Sequence, residues 1–226
     1  MISFDKVTKI YPDNCVALSN ISFFVGKGEF VSIVGRSGAG KSTLLRLLLS
    51  EEKPTKGDVI FEDINITKMS YGYLPYYRRR MGVIYQDYRL LPQKTVFENV
   101  AFTLEIFGKA DSEIRRTVPQ ALELVGILDK ANNFPHQLSG GEQQRAVMAR
   151  AIISQPKVLL ADEPTGDLDV YTTKEIMKLF LKINQLGTAV ILATHNREIV
   201  NTIQKRVIVL EKGKIIRDEQ KGRYYL

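Results

Sequence analysis

The chain has 226 residues, 44% of them hydrophobic and 25% charged, ordinary values for a globular protein built on one large α/β domain or one domain with a small insertion. Its single cysteine, Cys15, rules out an internal disulfide and favours a reducing compartment, and its longest apolar runs, Val158–Ala161 and Ala189–Ala193, are far too short to cross a bilayer. The net charge of +7 suits nucleic acid, nucleotide phosphates or an anionic membrane surface and does not choose among them.

Met1–Lys9 reads as a short strand with charges in it, so no targeting signal is expected there. Ile21–Val25 and Phe30–Val34 are strand-like, separated by Gly26 and Gly28. A glycine-rich loop leads into a leucine-rich helix over Lys41–Ser50, then a turn at Pro54–Gly57 and strands at Val59–Phe61 and Met81–Tyr85. From Thr95 to about Lys130 the spacing of Leu122, Val125 and Leu128 predicts helix. Strand and helix then alternate: helix Glu142–Ser154, strand Lys157–Ala161, helix Thr172–Gln185, strand Ala189–Ala193 and helix Arg197–Gln204. A hairpin of Arg206–Glu211 and Lys214–Arg217 turns at Lys212-Gly213. Such alternation implies a mainly parallel sheet with covered faces, and Thr95–Lys130 reads as a helical insertion in it.

Gly35-Arg36-Ser37-Gly38-Ala39-Gly40-Lys41-Ser42 matches the spacing of a phosphate cradle. Glycines let backbone N–H groups curl around phosphate oxygens, Lys41 supplies a point charge, and Ser42 offers a hydroxyl to Mg²⁺. A chance match arises on the order of one per cent of the time in such a chain, and the strand–loop–helix setting lowers that further. Val158–Ala161 ends in Asp162 and Glu163, where an open α/β sheet places its ligands. Asp162 is then placed to hold Mg²⁺ and Glu163 to polarise the attacking water. Alone, this is equally a strand ending in solvated acids. His195 follows the next strand and is placed to contact a γ-phosphate or to orient Glu163; His136 sits in a loop with no assigned role.

Leu138–Arg145 carries the most information. Ser139 and Glu142 fit a capping box, and Gly140 and Gly141 bare the backbone of the helix start, a second phosphate-binding end. This string resembles the signature motif of ATP-binding-cassette ATPases. With the cradle, the Asp162-Glu163 pair and His195 in the same order, the resemblance covers nearly the whole chain. It implies a P-loop ATPase domain over 1–226, with a mainly parallel core sheet, an N-terminal antiparallel β subdomain and a helical signature subdomain inserted at about 95–150. It implies ATP and Mg²⁺ as cofactors, with Tyr11 stacking on adenine, Val16 near the ribose, and the cradle running through Thr43. Gln86 would sense Mg²⁺ and couple to a partner. Ser139, Gly140, Gly141 and Gln143 would reach the ATP of the opposing subunit in a head-to-tail homodimer, and Asp169 would lie in the loop that crosses to it.

Ala161–Gly166 is similar to the branch whose partners transmit force across a membrane, lipoprotein-releasing and macrolide-efflux cassettes included. Tyr85–Pro92 and Thr95–Phe102, with Asp87 and Arg89, look more like the bacterial cell-division branch. That resemblance implies an integral membrane partner of the FtsX type, a place at the cytoplasmic face of the cell membrane, control of cell-wall hydrolases through the partner, and no nucleic acid. Asp167 departs from the branch, which often has asparagine there.

Overall fold

The computed structural model describes residues 1–222. They divide into two compact units, Met1–Arg78 together with the stretch from Ala189, and Arg79–Thr188. The end of the expected 1–226 domain lies outside the described residues. In chain order, the first unit opens with β1 (Ile2–Ile10), β2 (Val16–Val25), β3 (Phe30–Val34), α1 (Lys41–Leu48), β4 (Lys56–Phe61), β5 (Ile64–Asn65) and α2 (Leu74–Arg78). The second holds β6 (Met81–Ile84), α3 (Val96–Ile106), α4 (Asp111–Val125), α5 (Gly140–Ile152), β7 (Val158–Asp162) and α6 (Val170–Gln185). The chain then re-enters the first with β8 (Ala189–Thr194), α7 (Arg197–Ile203), β9 (Arg206–Glu211) and β10 (Lys214–Glu219). The fold is α/β, with an N-terminal antiparallel sheet, mainly parallel strands elsewhere, and helices between them.

In the first unit, the antiparallel sheet has the order β2-β1-β4-β5. Its strands alternate: Leu18, Ile21, Phe23 and Val25 of β2 are buried while Phe24 is exposed. Phe4 of β1 faces Phe23 across the ladder, rings stacked at 4.7 Å. By contrast β3 is buried at every position, because it lies between β8 and β9 and is parallel to both. Leu44, Leu45, Leu47 and Leu48 give α1 its buried side.

Arg206 anchors the β9–β10 hairpin. Its guanidinium donates to Asp218 Oδ1 and Oδ2, both at 2.7 Å, to Glu29 Oε1 at 2.9 Å and to the Phe24 carbonyl at 2.6 Å. The bonds to Asp218 and then Glu29 outweigh desolvation and hold its proton still more tightly than usual.

In the second unit β6 and β7 pair in parallel. Gly82 of β6 is required: a Cβ there would stand 2.4 Å from the Ala151 carbonyl of α5. The stretch expected to be helical from Thr95 to about Lys130 holds two α-helices and a short helical turn at Leu128–Lys130. Gly108, at φ +72, ends α3, and α4 runs until Gly126 at φ +76. Several boundaries differ from the sequence reading: β2 begins at Val16 rather than Ile21, α6 at Val170 rather than Thr172, and β10 runs to Glu219 rather than Arg217. β4 begins at Lys56, inside the expected turn, and α5 begins at Gly140 rather than Glu142, because Ser139 is its cap. The short helical turns between Ile66 and Arg78 carried no strong periodic signal.

Candidate functional site

The cradle lies between β3 and α1, and its glycines have separate reasons. A Cβ on Gly35 would stand 2.3 Å from the Leu210 carbonyl of β9, and one on Gly40, at φ +106, would stand 2.6 Å from the Ala17 carbonyl. Gly38, at φ +77, has nothing within 4 Å of that position and faces open space. The loop closes on itself, with the Ala39 N–H donating to the Arg36 carbonyl at 3.1 Å. Lys41 is buried to 7% exposure, and its ammonium donates to the Gly35 carbonyl at 2.8 Å and the Arg36 carbonyl at 3.4 Å. Ser42 is exposed beside it. No side chain caps α1, and no acidic residue sits in its first turn, so its positive end is kept for an outside anion.

The first unit also shows what braces the loop. The Gly213 N–H, in the β9–β10 turn, donates to the Ala39 carbonyl at 3.2 Å, and the Gly213 carbonyl accepts from Ser19 at 2.8 Å. The sequence marks Gly213 only as a hairpin turn and does not single out Leu210, because their contact with the loop is tertiary.

Tyr11 lies beyond β1, its hydroxyl donating to Glu52 at 2.9 Å and lying 3.4 Å from the Thr43 hydroxyl of α1. Lys9 sits 5.1 Å from the centre of its ring and 3.0 Å from Glu52. Burial pushes Glu52 up, but hydrogen bonds from Lys9 and Tyr11 prevail and its pKa falls below the usual carboxylate value. Val16 opens β2 and is half exposed. His195, exposed, follows β8; because Val34 of β3 pairs level with Thr194, Gly35 and His195 leave the same sheet edge.

The second unit carries the remaining candidates. Ile84 pairs level with Ala161, so Tyr85-Gln86 and Asp162-Glu163 leave their strands side by side. Asp162 and Glu163 are half-buried, and Glu163 is left-handed at φ +47, turning the chain into Pro164. Gln86 reaches this turn: a Cβ on Gly166 would lie 3.4 Å from its Nε2.

Helix α5 begins at the signature. Ser139 Oγ accepts from the Glu142 N–H at 3.4 Å, while the Glu142 carboxylate takes the Ser139 N–H and hydroxyl, both at 2.9 Å. The Ser139 N–H and then its hydroxyl, with help from Lys130, hold Glu142 below the usual carboxylate range. Gln143 donates to the Pro135 and Leu138 carbonyls at 3.1 and 3.2 Å, which fixes the turn before the signature. Asp169 caps α6, accepting from the N–H groups of Tyr171 and Thr172 at 2.9 and 3.0 Å and from the Thr172 hydroxyl at 2.5 Å. That hydroxyl foremost lowers its pKa. Thr172 in turn explains Gly141, whose Cβ would meet Thr172 Cγ2 at 2.6 Å.

The profile of the ABC transporter family matches residues 18–166. This chain belongs to the ABC transporter family. It is 50% identical over 224 residues to the cell division ATP-binding protein FtsE of Bacillus subtilis, covering 99% of this chain and 98% of that one. It is likewise 50% identical over 225 residues to the cell division ATP-binding protein FtsE of Mycobacterium tuberculosis, again over 99% and 98%. Among solved structures, the ATP-binding cassette MJ0796, a dimer in a post-hydrolysis state bound to ADP and Pi, matches with a TM-score of 0.89 at 35% identity, over 99% of this chain and all of that one. As an ABC cassette this chain is an ATPase, and its glycine-lined cradle with a buried lysine fits a nucleotide polyphosphate. Among the described residues no helix is long and apolar enough to cross a membrane.

Proposed function

We propose that this chain is the ATP-hydrolysing subunit of a membrane complex acting in bacterial cell division, and that closure of its head-to-tail homodimer moves an integral membrane partner of the FtsX type that controls cell-wall hydrolases. The observation that carries this reading is the 50% identity over 99% of the chain to cell-division ATP-binding proteins. The chain then sits at the cytoplasmic face of the membrane through its partner.

The catalytic proposal is residue by residue. The cradle N–H groups from Gly35 to Thr43 and the Lys41 ammonium hold the phosphates, with Tyr11 and Val16 at the nucleoside. The resemblance assigns Mg²⁺ to Ser42, Gln86 and Asp162, whose oxygens would hold an ion that keeps several waters and needs few protein ligands. When bound, the ion neutralises charge on the phosphates. Glu163 takes the proton of the attacking water, His195 orients that water and the γ-phosphate, and Ser139, Gly140, Gly141 and Gln143 act on the nucleotide of the opposing subunit. Asp169 lies in the loop that crosses to that subunit.

Glu163→Gln keeps ATP binding but lowers kcat by about 10²-fold or more, the range for loss of a general base, and traps a dimer. Unchanged hydrolysis in a steady-state phosphate-release assay overturns the role of Glu163. For the partner, affinity capture of the chain from bacterial membranes in ATP should recover a cell-division membrane protein. Recovery of a transport permease, with ATP-dependent movement of lipoprotein or drug, would replace the cell-division reading.

A further inference from the structure

The strap after β6 is bent at two successive left-handed residues, Tyr88 and Arg89, each at φ +51. Both carry a Cβ, and that conformation is unfavourable for each of them. The bend is tightened by the Arg89 N–H, which donates to the Asp87 carbonyl at 2.5 Å, closing a three-residue turn around Tyr88. Such geometry persists only where its surroundings enforce it.

The enforcing group is Arg150, in the last turn of α5. One arm of its guanidinium donates to the Arg89 carbonyl at 2.5 Å and the other to the Tyr88 carbonyl at 2.9 Å. A planar fork matches two adjacent acceptors; a lysine has no such shape. The guanidinium is substantially desolvated, and burial lowers its pKa. Two further contacts stiffen the strap. The Arg89 guanidinium lies 3.7 Å from the Tyr85 ring centre and is paired with Asp87, and the fully buried Asn99 of α3 binds Leu91 through both its N–H and its carbonyl, and the carbonyls of Lys94 and Thr95. Gln86 is therefore held between β6 and a bend clamped from α5. The other end of that same helix is the signature, Ser139 to Gly141. Near that end, Tyr88 approaches again, its hydroxyl 3.5 Å from where a Cβ on Gly140 would stand.

We propose that Arg150 is a positioning residue that locks the Gln86 strap to the signature helix, so that engagement of the signature with nucleotide and placement of Gln86 occur as one movement. This rests on the proposed role of Gln86 as a Mg²⁺ ligand that senses the bound ion. Arg150 acts through the backbone of Tyr88 and Arg89, whose carbonyls its guanidinium binds.

The test compares full-length wild type, Arg150→Met, Arg150→Lys, Gln86→Ala and the double variant Arg150→Met/Tyr88→Asn, measuring kcat and KM for ATP, equilibrium ATP affinity and melting temperature. Arg150→Met should lower kcat about tenfold with ATP affinity within about twofold of wild type, a loss confined to the step after binding. Arg150→Lys should behave the same way, because one ammonium does not span both carbonyls. Adding Tyr88→Asn should recover about threefold, since asparagine tolerates the left-handed region without a clamp. Unchanged kcat in Arg150→Met overturns the proposal. So does a loss that follows the fraction of unfolded protein in the melt, or one that Tyr88→Asn leaves unrelieved. Gln86→Ala separates the two readings: normal hydrolysis there removes the sensing role and this inference with it, whereas impaired Gln86→Ala beside normal Arg150→Met removes the Arg150 inference alone.

Discussion

The start of α1 and the start of α5 look alike as sequence, each a glycine-rich turn opening a helix, yet they are finished differently. At α1 the cap is Gly40, left-handed, with no side chain on the helix end and no acid in the first turn. At α5 the Ser139–Glu142 box occupies the helix end with the protein's own groups, and an ionised carboxylate already answers the helix dipole. An anion meets an open receptor at the first end. On the role proposed for Ser139, an anion at the second end would have to take the Ser139 hydroxyl away from Glu142. This is a physical reason for binding at the first end to come before engagement of the second.

The largest effect that tests this contrast is Gly35→Ala. Its Cβ meets backbone at 2.3 Å, which no rotamer relieves, and we expect ATP affinity to fall by about 100-fold or more together with a lower melting temperature. Wild-type affinity by equilibrium titration would show that the cradle has a second arrangement. Lys41→Ala comes next. It removes a buried ammonium held by the loop carbonyls, and ATP binding should weaken by about 10-fold or more with the fold retained. Ser139→Ala is predicted to cost about 1 kcal/mol of stability through the lost cap, read in denaturant melts, and to lower turnover while single-chain ATP affinity stays unchanged. Weaker ATP binding by the isolated chain in that variant would erase the distinction between the two ends.

The smallest effect is in acid. Glu142 has a folded pKa below its ordinary 4.5, so its contribution is present above about that pH and is lost as pH falls through the depressed value. Glu142→Gln should therefore show a shallower fall in melting temperature than wild type between about pH 5 and 3. An identical slope would mean that the box adds nothing to stability.

Much of the site could be read without coordinates because its signals are local. The cradle is a fixed spacing between an apolar strand and a helix, and the Asp162-Glu163 strand and β8 are short, continuous apolar runs. Strand register then places Gly35 beside His195 in one unit, and Gln86 beside Glu163 in the other. What stayed hidden depends on distant partners or on backbone angles that residue identity does not announce. Nothing about tyrosine and arginine advertises two left-handed residues, and Arg150 reads as an ordinary helix-surface charge. Asp169 was singled out for a subunit crossing, while its visible work is to cap α6. The break at Gly108 was missed because the spacing read for helix, Leu122, Val125 and Leu128, lies wholly beyond it.

The contact between Gly213 and Ala39 also sets an order of events during synthesis. A ribosome makes the chain from the amino end, so the cradle sequence is exposed long before the residue that braces it has been joined. Until the β9–β10 turn has left the exit tunnel, the Ala39 carbonyl lacks that partner and the loop has no Leu210 backbone against Gly35. A nascent chain thus carries the whole cradle sequence before its braced shape can form. The cradle therefore takes its braced shape only after the β9–β10 turn has been made.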